Sequence, residues 1–275
     1  MTGLAFVTVL CYNNSSRGGN DVILTMDVGN TYTRLGGFEG DELVFTARLS
    51  TDRRGTEDEL AGKILSALTV HRIAPEGITG VIFSSVVPSL NGVVSRAASR
   101  LFGGDPLTVG PGIKTGINIR CDIPSSVGTD IICACVAARQ FYGSPALIVD
   151  FGTTTNLMVL DEKGAFIGVS ICPGVKMGLD ALTEKTAQLP EVFPEAPSAV
   201  IAKNTADCIK SGVIYGHASM VDGMIDRIGA ESGADLPVYA TGSMASLIVP
   251  HCTHEIAVDE DLVLKGLNLL YQKNT

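Results

Sequence analysis

Two short loops carry the residue types that bind phosphate groups. The first is Asp27-Val28-Gly29-Asn30-Thr31, and the second, Asp150-Phe151-Gly152-Thr153-Thr154-Thr155, follows 123 positions later. In such a loop the glycine lets backbone N–H groups approach an oxyanion closely, Asn and Thr side chains add donors, and the aspartate offers a hard oxygen to a cation. One loop alone is equally compatible with a structural hairpin turn. The repeated pair favours a binding site for a nucleoside triphosphate and its cations.

A third acidic residue, Asp130, stands where a proton acceptor is useful. It follows Gly128 and Thr129 and precedes the apolar run 131–138, which predicts a helix. A carboxylate at the start of such a helix is partly desolvated and can take a proton from a substrate hydroxyl. The alternative is that Asp130 only stabilises the helix, because the helix dipole favours acidic residues in the first turn.

The elements that must position these loops occur twice in the same order. Apolar strands are predicted over 22–26, before the first loop, and over 146–149, before the second. Each loop is followed by two further strand patterns and by helical patterns, of which Glu57–Val70 is the first. We therefore expect a duplicated α/β unit with an N-terminal lobe over 21–125 and a C-terminal lobe over 126–275. Two such lobes that face each other bring both loops to one cleft.

The composition limits the partners that the protein can have. The 275 residues are 45% hydrophobic and 18% charged, as in an ordinary globular chain. The net charge is −9 and the longest basic cluster is Arg53-Arg54, so neither a nucleic acid nor a membrane is an expected partner.

Seven cysteines match no zinc or disulfide spacing, which predicts reduced thiols and a cytoplasmic location. Residues 1–20 do not continue the pattern, and we interpret them as an extension or linker of unclear status.

From residue 22 to the C-terminus the chain resembles the type III pantothenate kinases of bacteria. The resemblance rests on the two loops and on further strings in the same order, namely Ser84-Ser85-Val86-Val87-Pro88, Asp122-x-Pro124, Gly128-Thr129-Asp130, Cys172-Pro173-Gly174, Ala181-Leu182-Thr183-Glu184-Lys185-Thr186-Ala187-Gln188-Leu189-Pro190, Ile201-Ala202-Lys203-Asn204-Thr205, Ser211-Gly212, Thr241-Gly242 and Asp261-Leu262-x-Leu264-x-Gly266-Leu267. It implies duplicated ribonuclease H-like lobes of the acetate and sugar kinase/Hsc70/actin superfamily. It also implies ATP-dependent phosphorylation of pantothenate to 4'-phosphopantothenate, the first step of coenzyme A synthesis.

The resemblance also implies roles for individual residues. The ATP phosphates would contact Asp27, Val28, Gly29, Asn30, Thr31, Tyr32, Thr33, Arg34 and Thr153. Pantothenate would contact Cys121, Gly128, Thr129, Asp130, Ile131 and Thr186, the last from the neighbouring subunit of a homodimer. Asp130 would be the general base, and Asp150 would hold a monovalent cation, K⁺ or NH₄⁺, beside the Mg²⁺ that accompanies ATP.

Two departures from the family pattern fall in the segment expected to hold pantothenate. Ile131 stands where the family has Arg, and Cys121 stands where it has Tyr. An Arg fork is well suited to a carboxylate such as that of pantothenate. Two alternatives therefore stay open, a kinase of the same fold with another small-molecule acceptor and a non-catalytic protein that binds a nucleotide or metabolite. Retention of Asp130 with both loops favours an enzyme.

Overall fold

The computed structural model of the protein describes residues 21–275, and the predicted extension over 1–20 lies outside the described residues. The strands are β1 (Val22–Val28), β2 (Tyr32–Glu39), β3 (Glu42–Ser50), β4 (Ile78–Ser85), β5 (Leu107–Thr108), β6 (Ala146–Phe151), β7 (Thr154–Leu160), β8 (Phe166–Pro173), β9 (Val238–Thr241) and β10 (Ile256–Val258). The α-helices are α1 (Glu57–Val70), α2 (Asn91–Phe102), α3 (Thr129–Phe141), α4 (Val175–Lys185), α5 (Thr205–Ser232), α6 (Ala245–Ile248) and α7 (Leu262–Asn274).

The strands form two five-stranded sheets with the same topology. The first has the order β3-β2-β1-β4-β5 and the second the order β10-β9-β6-β7-β8, which is the same order read in reverse. In each sheet the strand before a phosphate-type loop pairs antiparallel with the strand after it and parallel with the next strand on its other side. The structure thus confirms the predicted duplication of one α/β unit.

Two helices pack between the sheets and form the centre of the molecule. Helix α3 packs along α7 and contacts strands of both sheets, whereas α7 contacts β1, β2 and β4 of the first sheet. The central core joins Phe38 and Ile82 from the first sheet to Ile148 and Met158 from the second, through the helices. Burial of these side chains on both faces of the helical layer fixes the two sheets, and hence the two loops, relative to each other.

The outer faces of the sheets are covered by other helices. Helices α1 and α2 pack on the first sheet, and α5 packs on the second. Helix α1 begins at a capping box in which Thr56 and Glu59 satisfy each other's backbone N–H groups, and its bounds agree with the prediction. No helix in the part of the chain that the structure describes has the length and hydropathy to cross a bilayer.

The two sheets lie on either side of the boundary predicted near residue 125. Helix α7 belongs to the second half of the sequence but packs on the first sheet, so the division into lobes at this boundary stays a prediction. The short strands β5 and β10 were not expected, because two or three residues are too few to show an alternating pattern.

Candidate active site

The two phosphate-type loops are tight hairpins of similar geometry. In the first, Gly29 N–H donates to the Tyr32 carbonyl at 3.0 Å, and in the second, Gly152 N–H donates to the Thr154 carbonyl at 3.1 Å. A side chain at position 29 would approach the Tyr32 carbonyl to 2.9 Å, which explains the glycine there. Each loop is tight because it joins two consecutive strands that pair antiparallel, β1 with β2 and β6 with β7, so the chain must reverse its direction within a few residues.

The two loops meet at one cleft between the sheets. The Thr31 and Thr153 hydroxyl oxygens lie 3.2 Å apart, within hydrogen-bond distance, although they come from different sheets. The cleft beneath them is lined by residues of both loops and by Asp130. The expectation that a duplicated fold places the loops opposite each other is therefore met.

Strand β4 connects two of the three acidic residues of the cleft. Ser84 lies opposite Asp27 in the parallel pairing, and its hydroxyl donates to the Asp27 carboxylate at 2.7 Å. The next residue, Ser85, exchanges hydrogen bonds with the Thr129 hydroxyl, which accepts from Ser85 N–H at 3.1 Å and donates to the Ser85 carbonyl at 3.2 Å. This contact ties the first turn of α3, and hence Asp130, to the end of β4.

The cleft concentrates negative charge in a partly buried place. Burial, the main cause, and the nearby Asp130 carboxylate raise the pKa of Asp27 to about 6. Burial and the Asp130 and Asp27 carboxylates raise the pKa of Asp150 to about 7. Burial also raises the pKa of Asp130 itself, against the backbone N–H groups of the α3 first turn, which lower it. Three carboxylates of this kind favour a ligand that brings positive charge.

Hard cations fit this donor set. Carboxylate oxygens are preferred ligands of Mg²⁺, and such a cation would offset both the burial, which is the main cause of the raised pKa values of Asp27 and Asp150, and the repulsion between the carboxylates. The Arg34 guanidinium lowers both pKa values, but it is already engaged with the Asp261 carboxylate at 2.6 Å and with the Glu260 carbonyl at 2.6 Å. Among residues 21–275, no three His, Cys, Asp or Glu side chains are grouped to hold a metal ion by themselves.

Comparison with known proteins agrees with this geometry. The family model of type III pantothenate kinase matches residues 23–227. The chain belongs to the type III pantothenate kinase family. The type III pantothenate kinase of Halalkalibacterium halodurans is 40% identical over 253 residues, which cover 92% of this chain and 100% of the relative. That of Moorella thermoacetica is 42% identical over 255 residues, with the same coverage of both chains.

Solved structures of more distant proteins share the fold of this family member. The (R)-2-hydroxyglutaryl-CoA dehydratase component A of Acidaminococcus fermentans has a TM-score of 0.55 at 17% identity, covering 91% of this chain and 96% of that chain. The activator of the 2-hydroxyisocaproyl-CoA dehydratase from Clostridium difficile, with bound ADPNP, has a TM-score of 0.55 at 14% identity, covering 91% and 93%. Together with the two matching sheets, these likenesses confirm the predicted α/β fold with a duplicated unit.

Most residues that the sequence suggested for a kinase site lie in the cleft. From the first sheet these are Asp27, Gly29, Asn30, Tyr32 and Arg34. From the rest of the chain they are Asp130, Asp150 and Thr153. Thr31 reaches the same place through its contact with Thr153. The side chains of Val28 and Thr33 point away from the cleft, since Val28 is buried in the core of the first sheet and the Thr33 hydroxyl contacts that of Thr51 at 3.0 Å.

The residues expected to contact pantothenate are more scattered in this chain. Gly128 and Thr129 immediately precede Asp130, whereas residue Ile131 is 7% exposed and belongs to the central core. Cys121 is partly buried and packs against that core. Thr186 is exposed at the end of α4, where its hydroxyl donates to the Leu182 carbonyl at 2.7 Å, and it does not line the cleft.

Several residues that line the cleft of this kinase family member were given no role in the sequence analysis. They are Arg48, Val86, Asn156, Gly242, Ser243 and Val263. The Gly242 backbone has a φ of +90°, and a side chain there would collide with the Asp150 carboxylate. Thr241-Gly242 was part of the resemblance, so this approach could have been inferred from its glycine. Arg48 had no such signal, because its place in the cleft follows from the β2–β3 pairing, in which it lies opposite Arg34.

Proposed function

We propose that this protein transfers the γ-phosphoryl group of ATP to the hydroxyl group of pantothenate, the first step of coenzyme A synthesis. The observation that carries the proposal is the contact between Thr31 and Thr153, because it brings both phosphate-type loops to the cleft that also contains Asp130. The type III pantothenate kinases to which the chain is similar over 92% of its length supply the identity of the acceptor.

In this proposal the chain's own residues position the reactants and move one proton. Backbone N–H groups of the loops and the hydroxyls of Thr31 and Thr153 bind the phosphate oxygens. Asp130 accepts the proton of the acceptor hydroxyl as its oxygen attacks the γ-phosphorus. The bond between that phosphorus and the β,γ-bridging oxygen breaks, and ADP leaves. Phosphoryl transfer needs mainly this positioning and charge compensation from a protein.

Two cations complete the proposed site. Asp27 would hold Mg²⁺ with its water shell, and Asp150 would hold the monovalent cation, K⁺ or NH₄⁺. When bound, these cations supply positive charge to phosphate oxygens that would otherwise be repelled by three carboxylates. The raised pKa values of Asp27 and Asp150 support this assignment, since burial, the main cause, and the neighbouring carboxylates disfavour the ionised forms, which a bound cation would stabilise.

A second candidate is the same transfer to a different alcohol. Ile131 is buried in the central core and Cys121 packs against that core, so neither supplies a cation for the carboxylate of pantothenate. An uncharged group at that end of the acceptor would suit these side chains better. Pantetheine, in which an amide replaces the carboxylate, is a convenient acceptor of this type.

Coupled ADP release distinguishes these possibilities. Purified protein with ATP, Mg²⁺ and K⁺ is given either pantothenate or pantetheine. We expect ADP release on addition of pantothenate, in agreement with the first candidate. Release with pantetheine alone would support the second, and ATP binding without release in any mixture would show a non-catalytic nucleotide-binding protein.

The proposed function has a defined pH dependence. Asp27 and Asp150 hold cations only when ionised, and Asp130 accepts a proton only when ionised. With pKa values of about 6 for Asp27 and about 7 for Asp150, protonation removes these charges as the pH falls through that range. We expect kcat/KM for ATP to decrease steadily from about pH 8 to pH 6, because this constant reports groups of the free enzyme. A profile that stays flat down to about pH 5 would contradict this assignment.

We also propose a homodimer in the cytoplasm. Large apolar side chains are exposed along β8, α4 and the segment after α4, among them Ile171, Met177, Phe193 and Ile201. An exposed apolar surface of this kind favours a subunit interface, and it lies beside Thr186, which is proposed to reach the partner's pantothenate. Light scattering should give twice the 28.7 kDa mass of one chain.

The six cysteines of the described part are free, in agreement with a reducing compartment such as the proposed cytoplasm.

A further inference from the structure

Arg48 lines the cleft although it belongs to neither phosphate-type loop. It lies on β3, directly opposite Arg34 of β2, and lines the same cleft as Asp27 and Thr153. Its guanidinium carbon lies 4.8 Å from the centroid of the Tyr32 ring, a cation–π distance. Tyr32 is the residue at which the first loop enters β2, so its ring holds Arg48 beside that loop.

Arg48 has no ion-pair partner in the described part of the chain that would offset its charge. Like charges directly opposite each other on paired strands destabilise a sheet. Arg34 is neutralised by its ion pair with Asp261, but among residues 21–275 Arg48 makes an aromatic contact and no ion pair. An arginine at such a position, at the edge of a cleft, is well suited to an anionic ligand.

We propose that Arg48 binds a phosphate oxygen of the nucleotide and that Tyr32 positions it to do so. The inference rests on the proposed function and adds a residue to it. The loops supply neutral donors, and the three carboxylates of the cleft repel phosphate. Arg48 thus supplies the fixed positive charge on the β3 side, where its planar fork can donate two hydrogen bonds to one phosphate group.

Titration of the purified protein with ATP and with adenosine tests this role. We expect Arg48→Gln to weaken ATP binding by about tenfold to a hundredfold, as for the loss of a charge-assisted hydrogen bond, and Arg48→Lys to weaken it less. Adenosine, which lacks phosphate, should bind the Arg48→Gln variant as it binds the parent. The control is Arg54→Gln, because the Arg54 side chain is exposed near the same loop and only its backbone makes a hydrogen bond.

The Tyr32 variants test the positioning role. Tyr32→Leu removes the ring and should weaken ATP binding severalfold, whereas Tyr32→Phe keeps the ring face and should restore much of the affinity. ATP binding by Arg48→Gln within twofold of the parent, or an equal loss of ATP and adenosine binding, would overturn the inference. Because these titrations need no acceptor, a parent that binds no ATP would instead count against the proposed function itself.

Discussion

Asp130→Asn should lower kcat for pantothenate phosphorylation by roughly 10²-fold to 10⁴-fold, the range typical of a lost general base. The amide cannot accept the hydroxyl proton, although it fills the same space at the start of α3. ATP binding should be kept or strengthened, because one of three mutually repelling carboxylates is removed. ADP release measures the first effect, and calorimetric titration with ATP measures the second.

The matched control for this variant is Asp207→Asn. Asp207 lies in the first turn of α5, as Asp130 lies in the first turn of α3, but it does not line the cleft, and it accepts a hydrogen bond from the Asn204 side chain. If Asp130 served only the helix dipole, both variants would lose a little stability and neither would lose activity. A parent-like kcat in Asp130→Asn would therefore exclude the base.

The second large effect is expected from Asp150→Asn, which should abolish activation by K⁺ while making the fold more stable. The substitution removes the carboxylate that is proposed to hold K⁺, so the rate should fall to a low level that no longer depends on K⁺. It also removes a charge that burial and two neighbouring carboxylates disfavour, as the pKa of about 7 indicates. The gain, discounted for the partial exposure of Asp150, is on the order of 2 kcal/mol, or roughly 5 °C in Tm.

The way in which the Tm difference between Asp150→Asn and the parent changes with pH provides a strict test. A carboxyl group whose pKa is higher in the folded than in the unfolded state binds its proton more tightly when folded, so its ionisation costs stability as the pH rises. The Tm difference between Asp150→Asn and the parent should therefore be small near pH 4 and increase towards pH 8. A variant that is less stable than the parent at pH 8, or that still responds to K⁺, would contradict the role given to Asp150. Asp180→Asn, on the exposed face of α4, is the control.

The repeated loop made much of this fold predictable. Two strands that each end in Asp-x-Gly imply two reversals of the chain, and the same order of elements after each reversal implies the same sheet twice. The structure shows this in the two matching strand orders and in the contact between Thr31 and Thr153. Helix α1 was predictable to the residue because its capping box marks its start and its apolar spacing marks its length.

Other parts of the fold and of the site depend on contacts between distant residues, which no local sequence pattern predicts. Helix α7 packs on the first sheet although it ends the sequence, because its apolar face fits between that sheet and α3. Arg48 lies in an otherwise ordinary strand, and its position in the cleft follows only from the register that places it opposite Arg34. The engagement of Arg34 with Asp261 joins positions 227 residues apart. Such pairings arise from tertiary structure, and periodicity does not predict them.

A crystal structure with pantothenate and a non-hydrolysable ATP analogue tests the central claim most directly. We predict that the triphosphate lies between the two loops, with the Thr31 and Thr153 hydroxyls on its oxygens. A carboxylate oxygen of Asp130 should lie about 2.6–3.2 Å from the acceptor hydroxyl. An analogue bound elsewhere, for example in the groove beside Tyr239 and His254, or an acceptor hydroxyl beyond the reach of Asp130, would contradict the account.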